Sequence, residues 1–150
     1  MSAGSAVAAL DDNRLGALVS DVTTSICGIK FSLSTPSEAE AWIAASLPIK
    51  GGSPVTVSLS SDESCSRAMA AGMLQMSPAD LDRPLIEDTF REILNMVAGQ
   101  VKTALSLDQA LGLPIIVAPA ELQKKLGQGS RCIGLASGPL ALMLLIAPGP

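Results

Sequence analysis

The chain has 150 residues, of which 48% are apolar, enough for one domain around one hydrophobic core and too few for two. Its net charge is −4, its longest basic run is Lys124-Lys125 and only 2% of its residues are aromatic, so nucleic acid and an anionic membrane surface are excluded as partners. Histidine is absent and the three cysteines, Cys27, Cys65 and Cys132, stand far apart, which removes Ser-His and Cys-His nucleophiles, His-ligated zinc and C-x-x-C redox chemistry.

The N-terminus, Met1-Ser2-Ala3-Gly4, lacks a basic region, and its small-residue stretch is broken by Asp11-Asp12, so no signal peptide is expected. Residues 1–10 read as a loose Ala/Ser-rich arm. Leu15, Leu18, Val19, Val22 and Ile26 then recur at helical spacing, with Asp12 or Asn13 placed to cap the start and Gly28 to end it. A short strand is expected within Ile29 to Ser34, and a turn or helix start at Thr35-Pro36-Ser37-Glu38. Two strands follow, Ala41 to Ile49 and Val55 to Ser60, joined by Lys50-Gly51-Gly52-Ser53. In the second, Val55, Val57 and Leu59 alternate with Thr56, Ser58 and Ser60, the period of a sheet with one buried face. Ser60 and Glu63 have the spacing of a capping box for a helix reaching about Met73, and Ser77-Pro78 begins a short helical turn.

The longest helix is expected from about Arg83-Pro84 to Leu105, with Pro84 where it costs least. Strands are expected over Ile115 to Ala118, Arg131 to Ala136 and Leu140 to Ile146, with a short helix around Glu121 to Leu126. The apolar run Leu140 to Ala147 is too short to span a bilayer as a helix and reads as a buried strand. The cysteines read as buried filler in a reducing, cytoplasmic setting. Gly127-Gln128-Gly129-Ser130 lacks the lysine and following helix of a phosphate loop. Helices interleaved with strand pairs predict a single two-layer α/β domain over 1–150, a mixed sheet packed against long helices.

On the long helix, Ile86, Phe90, Ile93, Val97 and Val101 form a core stripe. Asp88, Glu92 and Asn95 fall within an arc of roughly 60° on the opposite side, at about 100° per residue. Gly99 continues that line and leaves the backbone beyond Asn95 bare, at a cost of about 1 kcal/mol against alanine. Close approach by another chain is a reason for such a glycine. Taken alone, acidic and amide residues on the outer face of a helix are what most soluble helices carry. Asp88 and Glu92 share one exposed face with no evident cleft, which sets aside a glycosidase-type carboxylate pair.

Residues 88 to 99 read Asp-Thr-Phe-Arg-Glu-Ile-Leu-Asn-Met-Val-Ala-Gly. This string resembles the signature helix of the CheC/CheX phosphatases: Asp or Ser, Glu four residues on, Asn three further, then small residues ending in Gly. Gly51-Gly52 before a strand, a helix ending near Gly72-Met73-Leu74 and an acidic segment ahead of the signature follow the family order, so the likeness covers about residues 40 to 120. Asn13, the other asparagine, has no Glu three residues before it, so the chain is more similar to single-site CheX than to two-site CheC. The family also has a proline after the helix, and both Pro114 and Pro119 stand in that segment.

The resemblance implies a phosphatase acting on phospho-aspartate in a CheY-like response-regulator receiver domain, within two-component or chemotaxis signalling. Asn95 would hold a water in line with the phosphorus, and Glu92 would anchor on the cation beside the phosphate. Asp88 would be a supporting contact or a charge near the helix N-terminus, and Gly99 a point of close approach. No cofactor of its own is implied, since Mg²⁺ comes with the phosphorylated partner, and a homodimer joined edge to edge is. The alternative readings are a non-catalytic module of the same fold, docking on a receiver domain or flagellar switch component, and a purely structural protein.

Overall fold

The computed structural model describes residues 10–36, 41–51, 54–107, 110–125 and 129–149. The elements run α1 (Asp12–Cys27), β1 (Ser32–Ser34), β2 (Ile43–Ile49), β3 (Val55–Ser61), α2 (Glu63–Leu74), a 3₁₀ turn (Pro78–Asp80), α3 (Arg83–Ala104), β4 (Ile115–Val117), α4 (Pro119–Gln123), β5 (Arg131–Ser137) and β6 (Leu140–Pro148). The arm over 1–9, Ser37 and Glu38, Gly52 and Ser53, and Leu126 with Gly127 and Gln128 lie outside the described residues.

The strands form one sheet in the order β1-β5-β6-β3-β2-β4. The α/β two-layer expectation holds, but the sheet is antiparallel at every described pairing rather than mixed. The sequence neighbours β2–β3 and β5–β6 pair with one another, as strands joined by short turns must, and a parallel pair would need a long crossover. β3 and β6, distant in sequence, pair from Val55↔Pro148 to Ser61↔Leu142 and join the two hairpins at the centre.

One sheet face, carrying Ile43, Ala45, Leu47, Ile49, Val55, Val57, Leu59, Leu144 and Ile146, packs with the apolar stripes of α1, α2 and α3 into the main core. The opposite face has a smaller cluster in which Leu122 of α4 meets Ala44 and Leu145. The expectation of one buried face for β3 is therefore corrected: all seven of its residues are buried. Three of its four hydroxyls are satisfied within the fold, Ser58 Oγ lying 2.8 Å from Ser46 Oγ, Thr56 Oγ1 donating to the Gly149 carbonyl at 2.8 Å and Ser61 Oγ donating to the Asp62 carbonyl at 2.9 Å. Buried polar groups persist where such partners exist.

Two helix caps also differ from expectation. Asp11, not Asp12 or Asn13, caps α1, its Oδ1 accepting the Arg14 N–H at 2.7 Å. Asp12 already lies in the helix and pairs with Arg131 Nη2 on β5 at 2.7 Å. Gly28 ends α1 with φ +73°, a left-handed conformation that costs glycine little. For α2 the cap is Asp62, which accepts from Cys65 N at 2.8 Å. Ser60 cannot serve, because β3 runs on through Ser61 and holds it in the ladder. Pro119 occupies the first turn of α4, while Pro114 directly precedes β4.

The three thiols are free. Cys27 and Cys65 lie in the main core, and burial pushes their thiols up to about 11 and about 12 from 9.0. The half-buried Cys132 packs against the smaller cluster and is raised for the same reason. Thiols held protonated at neutral pH are poor nucleophiles, in keeping with a filling role.

Candidate functional site

The site is built on α3, and the local sequence explains why this helix is firmly placed. Asp82 Oδ1 accepts the Leu85 N–H at 3.0 Å, and Pro84 sits in the first turn where no donor is lost. Arg83 binds Glu87 through Nε at 2.9 Å, donates to the Trp42 carbonyl at 3.2 Å and lays its guanidinium 4.1 Å from the Trp42 ring centre. Arg67 of α2 stands 5.9 Å from the same ring and donates to the carbonyls of Pro78 and Leu81. The start of α3 is thus fastened to the segment leading into β2 and to α2. No local pattern in the sequence announces this cluster, because Trp42 and Arg83 stand 41 residues apart.

The inner face of α3 is buried as the periodicity requires: Ile86, Phe90, Ile93, Leu94, Val97, Ala98 and Val101 join the main core. Thr89, also buried, returns its hydroxyl to the Ile86 carbonyl at 2.9 Å. Because that stripe is fixed, the opposite residues must face outward. Asp88 and Glu92 are exposed, while Asn95 and Gly99 are half-exposed. The four expected site residues therefore share one outward line.

Their surroundings differ. Among the described residues, neither Glu92 nor Asn95 has a side-chain hydrogen bond or ion pair, so the carboxylate and the amide are both available to an incoming group. A carboxylate offers acceptors, and an amide offers a donor and an acceptor together. Asp88 is engaged: its Oδ1 accepts from Arg91 Nη2. It also lies beyond the first turn of α3, which holds no acidic residue, so the expected role as a helix N-terminal charge is corrected, since the dipole's effect is confined to that turn. The i,i+3 spacing of opposite charges was the signal for this pair.

Gly99 has no internal duty. A Cβ built there meets nothing within 4 Å. Gly72 of α2 is the contrast, since a Cβ there falls 2.1 Å from the Cys27 carbonyl oxygen at the end of α1. One glycine is demanded by packing, whereas the other keeps an outer surface low beside Asn95.

Among the described residues no three of His, Cys, Asp and Glu gather as a metal-binding group. No described helix is long and apolar enough to cross a membrane.

Solved structures share this fold at low identity. Chemotaxis protein CheX from Vibrio vulnificus superposes with a TM-score of 0.75 at 18% identity, over 91% of this chain and 97% of that one. A CheC-like superfamily protein from Shewanella sp. PV-4 gives 0.71 at 17%, over 92% and 96%. The CheX–CheY–BeF₃–Mg²⁺ complex from Borrelia burgdorferi contains a chain that gives 0.71 at 15%, over 93% and 99%. None of the curated proteins matches the chain. The family model described as chemotaxis phosphatase CheX matches residues 43–136, a stretch running from the start of β2 into β5 and including the whole of α3, and the chain belongs to that family.

Proposed function

We propose that this chain removes the phosphoryl group from phospho-aspartate in a CheY-like receiver domain, acting in the cytoplasm within a chemotaxis or other two-component pathway. The observation that carries the reading is that Glu92 and Asn95 lie on one outward line of a rigidly held helix, in a member of the CheX family, with no internal partner among the described residues. A structural relative was solved in complex with CheY, Mg²⁺ and BeF₃, which supports a receiver domain as the partner class.

In this mechanism α3 enters the partner's active site. Asn95 accepts a hydrogen bond from one water and donates another, holding that water in line with the phosphorus. Such positioning converts a loose encounter into an oriented attack and needs no nucleophile from this chain. Glu92 anchors on the cation beside the phosphate, a charge-assisted contact strengthened as docking expels water. Mg²⁺ is supplied by the phosphorylated partner. Gly99 keeps the helix surface low where the partner's backbone passes. Two chains join as a homodimer through a sheet edge; β4 is one such edge, with Ile115 and the preceding Leu113 exposed.

The test is loss of acyl phosphate from a panel of phosphorylated receiver domains, with wild type and with Asn95→Ala. Faster loss with wild type, abolished in the variant while binding persists, establishes the phosphatase. Docking without acceleration on any receiver refutes it and leaves a non-catalytic binding module.

A further inference from the structure

Between Arg83 and Lys102, α3 carries one cation, Arg91, against Glu87, Asp88 and Glu92. Glu87 is answered by Arg83. Arg91 is held one turn back by Asp88, with 34% of the arginine side chain and 65% of the aspartate side chain exposed. Residues four apart on a helix are neighbours, so Arg91 flanks Asn95 at about 5–6 Å between Cβ atoms. Helical side chains lean towards the N-terminus, which carries the Asn95 amide over the turn bearing Arg91 and Glu92.

A phosphoryl group approached by a water on Asn95 therefore meets a carboxylate on one side and a guanidinium on the other. The Glu92 charge repels the phosphoryl oxygens unless a cation of the partner stands between. Arg91 meets the oxygens themselves: its planar fork is always charged and matches phosphate geometry. As an exposed pair, Asp88 and Arg91 contribute little to folding. Holding the arginine fork in place reduces the side-chain freedom lost on docking.

We infer that Arg91 is the residue by which this surface prefers a phosphorylated receiver over the unphosphorylated one, and that Asp88 is its positioning residue rather than a contact to the partner. The inference rests on the receiver-phosphatase reading and assigns the recognition of the phosphoryl charge within that site.

The experiment uses the receiver that responds in the turnover assay, titrated with and without beryllofluoride and Mg²⁺ as the phosphoryl mimic. Wild type is compared with Arg91→Ala, Arg91→Lys, Asp88→Asn and the double variant Asp88→Asn/Arg91→Ala. Arg91→Ala is expected to weaken binding of the beryllofluoride form about tenfold, with the free form changed by less than about twofold. KM for the phosphorylated receiver rises while kcat holds, and Arg91→Lys restores part of the loss. Asp88→Asn is expected to cost about threefold, and nothing further once Arg91 is gone.

Equal weakening of both receiver forms by Arg91→Ala, or no weakening, overturns the assignment of Arg91. An undiminished Asp88→Asn effect in the Arg91→Ala background overturns its positioning role and makes it a partner contact. Wild type that accelerates phosphate loss while Arg91→Ala matches it in every readout sinks this inference alone. Wild type that accelerates loss from no receiver sinks the phosphatase reading, and this inference with it.

Discussion

Two of the helical glycines, Gly72 and Gly99, allow the same substitution to be predicted with opposite signs. In Gly99→Ala the new Cβ meets nothing within 4 Å, so only the backbone term operates. Replacing an interior helical glycine by alanine stabilises by about 1 kcal/mol, chiefly by reducing the freedom of the unfolded chain. In a chain of this size that raises Tm by about 2–4 °C. In Gly72→Ala the Cβ would lie 2.1 Å from the Cys27 carbonyl oxygen, a backbone atom that cannot rotate away. The ends of α1 and α2 must separate, at a cost of about 1–3 kcal/mol for overpacking, which outweighs a propensity gain already reduced so near the end of α2. Urea unfolding followed by circular dichroism, with m-values compared, reads both changes. A destabilised Gly99→Ala would mean that the outer face of α3 is packed within the fold. A neutral Gly72→Ala would mean that α1 and α2 do not meet as described. If Gly99 is kept for clearance to a partner, Gly99→Leu should remain folded and weaken receiver docking. Undiminished docking by that variant would remove Gly99 from the interface.

Two further predictions follow from the same geometry. Glu92→Ala and Asn95→Ala alter exposed or half-exposed side chains without internal partners among the described residues, so each should change folding stability by less than about 0.5 kcal/mol; a larger change in urea midpoint would show a structural duty. Alkaline pH should loosen the core through Cys65. Its folded pKa of about 12 lies above the free value of 9.0, so both states are protonated below pH 9 and stability is unaffected there. Above that the unfolded chain ionises first, and stability falls with pH up to the folded value, by at most about 1.4 kcal/mol per unit. Unfolding at pH 8 and pH 10.5 should show a steeper loss for wild type than for Cys65→Ala, and equal slopes would refute the assignment.

The sequence by itself determined the features that depend on near neighbours. The 3.6-residue stripe Ile86, Phe90, Ile93, Val97 and Val101 chose which side of α3 is buried, and this alone turned Asp88, Glu92, Asn95 and Gly99 outward. The unbroken apolar run of β6 likewise announced a strand covered on both faces. The tertiary structure decided what depends on chain segments far apart. Whether the Thr56, Ser58 and Ser60 side of β3 meets water depended on the strand's central place between β6 and β2 and on what lies over that face. The move from Ser60 to Asp62 as the α2 cap depended on how far the β2–β3 ladder ran. Gly72 and Gly99 make the same point: α2 and α3 each carry a glycine, and only the passage of α1 beside one of them separates a packing requirement from an open surface. Local periodicity fixes the direction in which a side chain points, whereas long-range packing fixes what it meets there.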